Sequence, residues 1–223
     1  MIRARVQRLL AVIGALSFVF VLLSLAVAAG ALRPLDVGVS RTLAADWIPA
    51  LHVLLQGVAL LGGIEATSLV ALGIFVFLWR RGYRLGALSV GAFFGAVVIE
   101  LAYKKLLRHP GPPLAISHPD GPSLSDLADS SLQLQASFPS GHMTRTVIVY
   151  GLLAFIVHRL APAGFWRRVA VPAAIALIVL MAFDRVYLEV HWASDVVGGL
   201  VLGCLGLAVA ITWLEFRGGT AIE

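Results

Sequence analysis

The sequence predicts an all-α fold, a polytopic membrane protein of six transmembrane helices with an extracytoplasmic helical and loop segment. Composition is the first reason. Of 223 residues, 60% are hydrophobic and only 13% charged, where a soluble domain carries about 25% charged residues. The second reason is a series of charge-free apolar runs, the longest able to cross a bilayer unaided. Together they exclude a disordered chain, a coiled coil and a nucleic-acid-binding tail. The single cysteine, Cys204, excludes an internal disulfide framework and a Cys-rich metal site.

The spans follow in order. Residues 9–32 are uncharged and follow Arg3, Arg5 and Arg8. Their apolar core exceeds the roughly 7–15 residues of a signal peptide, so an uncleaved anchor is expected despite the small residues from Ala26 to Ala31. Further spans are expected at 62–80, 85–104, 140–158, 169–187 and 194–214, all within one membrane-embedded domain, 1–223. The stretch 47–63 is interrupted by Pro49, His52, Gln56 and glycines, and reads as an interfacial or re-entrant helix. With both termini in the cytoplasm, the inner segments hold Arg3, Arg5, Arg8, Arg80, Arg81, Arg84, Arg159, Arg167, Arg168 and Arg217. These are ten of the 17 basic residues, as the positive-inside rule requires. The net charge of +5 is therefore read first as a topology signal, with no nucleic-acid partner. The long connection 108–138 falls outside; such a loop is often a lid or binding loop.

Ionisable residues in or beside spans are functional suspects. Here they form three clusters at outer helix ends. Glu100 and Lys104 are four apart and can pair, with Lys105 and Arg108 close behind. Pro139-Ser140-Gly141-His142 has the composition of a helix N-terminus, which offers backbone N–H groups to an anion. Gly141 would admit that anion close to the backbone, with His142 in the first turn. Asp184-Arg185 is followed by His191 and Asp195. If both lie on the helix entering the sixth span, Asp195 can hold one ring nitrogen of His191 and leave the other to react. Arg185 supplies a planar fork suited to phosphate.

Cations, a helix N-terminus and two imidazoles on one membrane face fit a phosphate dianion. One imidazole would attack in line and another would protonate the leaving oxygen. Neither an HExxH motif nor a cysteine cluster is present, so chemistry without metal or cofactor is expected. A zinc site drawn from His109, His118, His142 and His191 is the weaker alternative.

These residues resemble the type 2 phosphatidic acid phosphatase family, membrane lipid phosphatases that share a core with acid phosphatases and vanadium haloperoxidases. Its hallmarks are Lys-x6-Arg-Pro, Pro-Ser-Gly-His and Ser-Arg-x5-His-x3-Asp. The second is intact at Pro139–His142, and Arg185-x5-His191-x3-Asp195 keeps the third's spacing. The resemblance implies that His191 is a nucleophile forming a phosphohistidine, that Asp195 orients it, and that His142 is the general acid. It implies that Arg185, Ser140 and the Gly141 backbone hold the phosphoryl oxygens, with Lys104 assisting.

Two positions depart from the pattern. Six residues beyond Lys104 stands Gly111-Pro112 where the family has Arg-Pro, and the same arginine is missing when Lys105 is taken as the lysine. Arg108 is the substitute nearest in sequence. Asp184 replaces the usual serine, and would repel substrate unless it turns away or pairs with a cation. The expected function is hydrolysis of a lipid phosphate or diphosphate at the outer face of a bacterial inner membrane. Polyprenyl diphosphate is the first expected substrate; phosphatidate and phosphatidylglycerol phosphate are the others. The alternatives are a phosphotransferase that passes the phosphoryl group to a lipid or sugar, and a lipid-phosphate-binding protein without turnover. The bilayer and its lipid phosphates are the expected partners; protein partners are not indicated.

Overall fold

A computed structural model describes residues 2–107, 109–113, 117–118 and 136–218. Arg108 and most of the connection to residue 135 lie outside the described residues. Among those described, the regular structure is helical, with one isolated bridge pairing Pro110 and Ala136. The chain is a polytopic, all-α membrane protein. In chain order the helices are α1 (Ile2–Ala28), α2 (Arg33–Ala45), α3 (Pro49–Gly62), α4 (Ile64–Arg80), a single turn α5 (Arg84–Ala87), α6 (Gly91–Leu107), α7 (Gly141–Leu160), α8 (Phe165–Tyr187) and α9 (Ala193–Gly218).

Five stretches are long and apolar enough to cross a membrane: Val6–Ala28, Arg84–Leu107, Gly141–Leu160, Phe165–Tyr187 and Ala193–Phe216. The sixth crossing is available only as a bent pair, α3 with α4, whose axes differ by 43°. The segment read as interfacial or re-entrant is thus the first arm of that pair. The break has a local cause. The Gly63 N–H closes α3 onto the carbonyls of Ala59 and Leu60, and its own carbonyl accepts the Thr67 N–H and the Thr67 hydroxyl. Gly62 has no room for a side chain: a Cβ there would lie 2.7 Å from Met181 Cε and 2.9 Å from Thr146 Oγ1.

Helix α1 stops at Ala28, short of the expected residue 32. Gly30, at φ +69, takes the left-handed conformation that ends helices. Its N–H bonds Val27 O, and the Ala31 N–H reaches back to Ala26 O. Pro34 then opens α2, a helix the sequence reading did not foresee. Its buried positions are Asp36 and Ser40, both polar, so it carries no apolar stripe to reveal it.

Helix α7 is the enclosed centre of the bundle: 56% of its apolar stretch is buried, against 17% for α1 and α8. It packs on α8 and α9, and α1 covers the other side of α9. Without a hydrophobic drive between helices in lipid, close packing depends on small residues at the contact. Gly199, Gly203 and Gly206 of α9 supply it. A Cβ on Gly199 would collide with the Ser140 carbonyl and lie 2.9 Å from Met143 Cβ; on Gly203 it would lie 2.6 Å from Val147 Cβ. Gly199→Val is therefore expected to lower the thermal midpoint in detergent by roughly 10 °C, since overpacking against backbone costs about 3 kcal/mol. Gly73→Val, at a position with nothing within 4 Å of an added Cβ, should leave the midpoint within about 2 °C of the wild type's.

Candidate active site

The site forms where the C-terminal ends of α6 and α8 meet the N-terminal ends of α7 and α9. These four ends come together because consecutive spans run antiparallel, so one end of the bundle collects both types.

On α9, Asp195 lies in the first turn and His191 precedes the helix, rather than both lying on it. The contact survives: His191 Nδ1 is 3.5 Å from Asp195 Oδ2. The same Oδ2 accepts the Trp192 N–H at 2.9 Å. That bond is the carboxylate half of a capping box, in which a third-position acid reaches back to the N-cap amide. It fixes Asp195 before any substrate arrives. His191 is also held by its backbone, whose N–H bonds the Arg185 carbonyl at 3.2 Å. The tight return from α8 to α9 places Glu189 at φ 53, unusual for a residue with a Cβ. The Ser40 hydroxyl of α2 donates to its Oε1 at 3.0 Å.

Helix α2 also supplies Asp36, 1% exposed. Its Oδ1 accepts the Ser194 N–H and its Oδ2 the Ser194 hydroxyl, each at 2.8 Å. A buried carboxylate from elsewhere in the chain thus caps the helix that presents Asp195. His109, grouped with His142 and His191 from the sequence only as a possible zinc ligand, also lies here. Its Nε2 is 3.7 Å from Asp195 Oδ1, so the carboxylate sits between two imidazoles.

On α7, Ser140 is the N-cap residue, and its N–H bonds the Asp195 carbonyl at 2.9 Å, tying the two helix starts together. Its hydroxyl is fully buried with no hydrogen-bond partner among the described residues. His142 lies within electrostatic reach of Arg185, Arg145, His191 and Lys104. Gly141 has close neighbours on the side where a Cβ would stand. A Cβ on it would collide with Glu100 Oε1 and lie 2.6 Å from Arg145 Nη1. The missing side chain makes room for an ion-pair network.

Glu100 is the centre of that network. Lys104 Nζ is 3.2 Å from Oε1, and Arg145 Nη1 donates to Oε2 at 3.2 Å. All three are buried, while Lys105 is exposed. The helix phase that buries Glu100 therefore also buries Lys104. Arg145 was not singled out from the sequence, although an arginine inside an apolar span, one turn after His142, is itself a signal. On α8, Arg185 is 1% exposed and its guanidinium donates through Nε to Asp184 Oδ2, with Nη2 on the same oxygen. Asp184 thus pairs with a cation, one of the two conditions under which it would not repel an anion.

The structure brings His142, His191, Asp195, Lys104, Ser140, Gly141 and Arg185 to one bundle end; Arg108 lies outside the described residues. Among the described residues no three His, Cys, Asp or Glu side chains form a metal-ligand group. The arrangement can hold an anion on fixed donors, with imidazoles on hand for nucleophilic attack and proton transfer.

Comparison with known proteins bears on this site. The model of the PAP2 superfamily matches residues 84–218. Phosphatidylglycerophosphatase B of Bacillus subtilis is 26% identical over 189 residues, covering 83% of this chain and 86% of that protein. Decaprenylphosphoryl-5-phosphoribose phosphatase of Mycobacterium tuberculosis is 33% identical over 135 residues, covering 60% and 63%. The crystal structure of a transmembrane PAP2 type phosphatidylglycerolphosphate phosphatase from Bacillus subtilis superposes with a TM-score of 0.72 at 23% identity. It covers 93% of this chain and 96% of its own, and so shares the fold.

Proposed function

We propose for this chain, which belongs to the PAP2 superfamily, a double-displacement mechanism at His191 acting on the terminal phosphate of an anionic lipid. The chain is a bacterial membrane lipid phosphatase, and the proposal concerns its residues, its substrate and its orientation. One observation supports it: His191 Nδ1 lies 3.5 Å from the buried Asp195 carboxylate, and His142 lies within electrostatic reach of His191, Arg185, Arg145 and Lys104.

In the first step the His191 Nε2 lone pair attacks phosphorus and the bond to the lipid oxygen breaks. That oxygen takes a proton from His142. Asp195 keeps the proton on Nδ1 and stabilises the positive ring as the P–N bond forms. In the second step His142, now neutral, takes a proton from water. The water oxygen attacks phosphorus, the P–N bond breaks, and inorganic phosphate leaves. Arg185, Lys104, the Ser140 hydroxyl and the Gly141 N–H hold the phosphoryl oxygens throughout, where charge develops. No metal or cofactor takes part. The site lies on the outer face of the membrane with both termini inside, the orientation that the arginine distribution favours.

A site at a bundle end, level with lipid headgroups, suits a substrate whose phosphate is there and whose tail is in the bilayer. Polyprenyl diphosphate and phosphatidylglycerol phosphate are the two to compare. The first is favoured by a site facing the outer surface, the second by the name of the Bacillus relative. Full-length protein in detergent, given each lipid with EDTA present, should release phosphate at an unchanged rate on metal removal. The faster lipid identifies the substrate class. Activity lost to EDTA and restored by a divalent cation would overturn the metal-free mechanism. Phosphate appearing only on an added alcohol would make the chain a phosphotransferase.

A further inference from the structure

We infer that Arg145 is a phosphate-binding residue of this site and stands in for the guanidinium that the first motif lacks at Gly111. The inference rests on the phosphatase reading and adds a residue to it. At Gly111 the sequence has no side chain to offer a phosphate. The structure places another arginine in the same cluster.

Arg145 is 3% exposed on α7, one turn beyond His142. Helical side chains lean toward the helix N-terminus, and this one brings Nη1 to within 2.6 Å of where a Gly141 Cβ would be. The guanidinium therefore lies beside the helix start, where first-turn N–H groups favour an anion. It is held there on two sides: Nε donates to Gly62 O at 3.3 Å and Nη1 to Glu100 Oε2 at 3.2 Å. Those are its hydrogen-bond partners among the described residues, and its fork has further donors to offer. The buried, unpartnered Ser140 hydroxyl is at the same helix start.

If Arg145 served only to neutralise Glu100, one cation would suffice. Glu100 already has Lys104 at 3.2 Å as its partner four residues on. The carboxylate between them instead sets the spacing of two cations. The Gly62 carbonyl is free to accept from Arg145 because α3 ends there, so the break in the helix pair helps aim the guanidinium.

The test uses full-length protein in detergent. It measures orthovanadate binding by calorimetry and phosphate release from phosphatidylglycerol phosphate. Arg145→Gln should weaken orthovanadate binding and lower kcat/KM by about 100-fold, the effect of losing one charged donor from a site of this kind. Arg145→Lys, which keeps the charge without the fork, should fall between. Glu100→Gln with Arg145→Gln restores the net charge that Glu100, Lys104 and Arg145 carry together in the wild type and should remain as impaired as Arg145→Gln. Gly111→Arg added to Arg145→Gln should recover at least about tenfold; a Cβ at Gly111 would lie 3.4 Å from Ser137 Cβ, an ordinary contact. Recovery of the double variant to within about threefold of wild type, or orthovanadate binding unchanged in Arg145→Gln, would show that Arg145 only balances Glu100. Absence of recovery with Gly111→Arg would overturn the substitution for the motif arginine. Melting curves separate misfolding from these effects, and Arg145→Lys decides should Arg145→Gln fail to fold. Because the binding arm needs no turnover, a wild type that binds orthovanadate without releasing phosphate would sink the phosphatase reading and leave the Arg145 result standing.

Discussion

His191→Ala is expected to lower the rate of phosphate release by about 10⁴-fold while leaving the melting temperature near that of the wild type. The size of the effect comes from chemistry: without the imidazole there is no covalent route, and water must attack a phosphoryl group that is positioned but not activated. The modest structural effect follows from the geometry, since the His191 side chain is partly exposed and its backbone bond to Arg185 survives the substitution. Rapid quenching of wild-type protein with phosphate-labelled lipid should trap label on the chain, stable in alkali and released by acid, as a P–N bond requires. The same experiment on His191→Ala should trap none. Label retained by the variant would move the nucleophile to another residue, with His109, across Asp195, the first to examine.

Gly141→Ala should also lower activity, for a different reason. One methyl group at this position meets a carboxylate oxygen and a guanidinium that are themselves paired. Glu100 must withdraw, and its contacts with Lys104 and Arg145 loosen together. Breaking a buried ion pair costs about 3–5 kcal/mol, so a fall in thermal stability should accompany an activity loss of at least about 100-fold. Adding Glu100→Ala frees the space that the methyl group needs. Partial return of stability in that double variant, measured by thermal melting, would support the steric cause. No return would mean that Gly141 is required for its backbone and not for the room it leaves.

The parts legible from the sequence were those encoded by short spacing. His191 and Asp195, and Glu100 and Lys104, are each four residues apart, and each pair is in contact. Even there the local detail differed, because Asp195 opens its helix and His191 stands before it. The choice between Lys104 and Lys105 was undecided by motif counting, and burial of Glu100 on the same helix face favours Lys104. What the sequence concealed depends on partners far away along the chain. Asp36 meets Ser194 across 158 positions, and nothing in the residues around Asp36 names that partner. Helix α2 hid for a related reason, its inward face being polar. Arg145 was overlooked because a single cation in an apolar run gives no indication of which carboxylate will receive it. The bend between α3 and α4 was partly visible in its glycines, but its use, a carbonyl offered to Arg145, was not.

The Glu100 network also bears on how the protein is made. Spans enter the membrane in order, and α6 arrives carrying Glu100 and Lys104 as a matched pair on one face. Helix α7 follows with Arg145 and, until it docks, no carboxylate of its own within its length. An arginine at the centre of an isolated span costs about 2.5–3.5 kcal/mol to insert, and Arg145, in the second turn of Gly141–Leu160, carries a smaller part of that cost. That cost is relieved only when α7 finds α6 and Glu100 accepts the guanidinium. The ion pair at the edge of the reaction centre is thus also an assembly signal, one that favours the correct pairing of two helices during biosynthesis before any substrate is present.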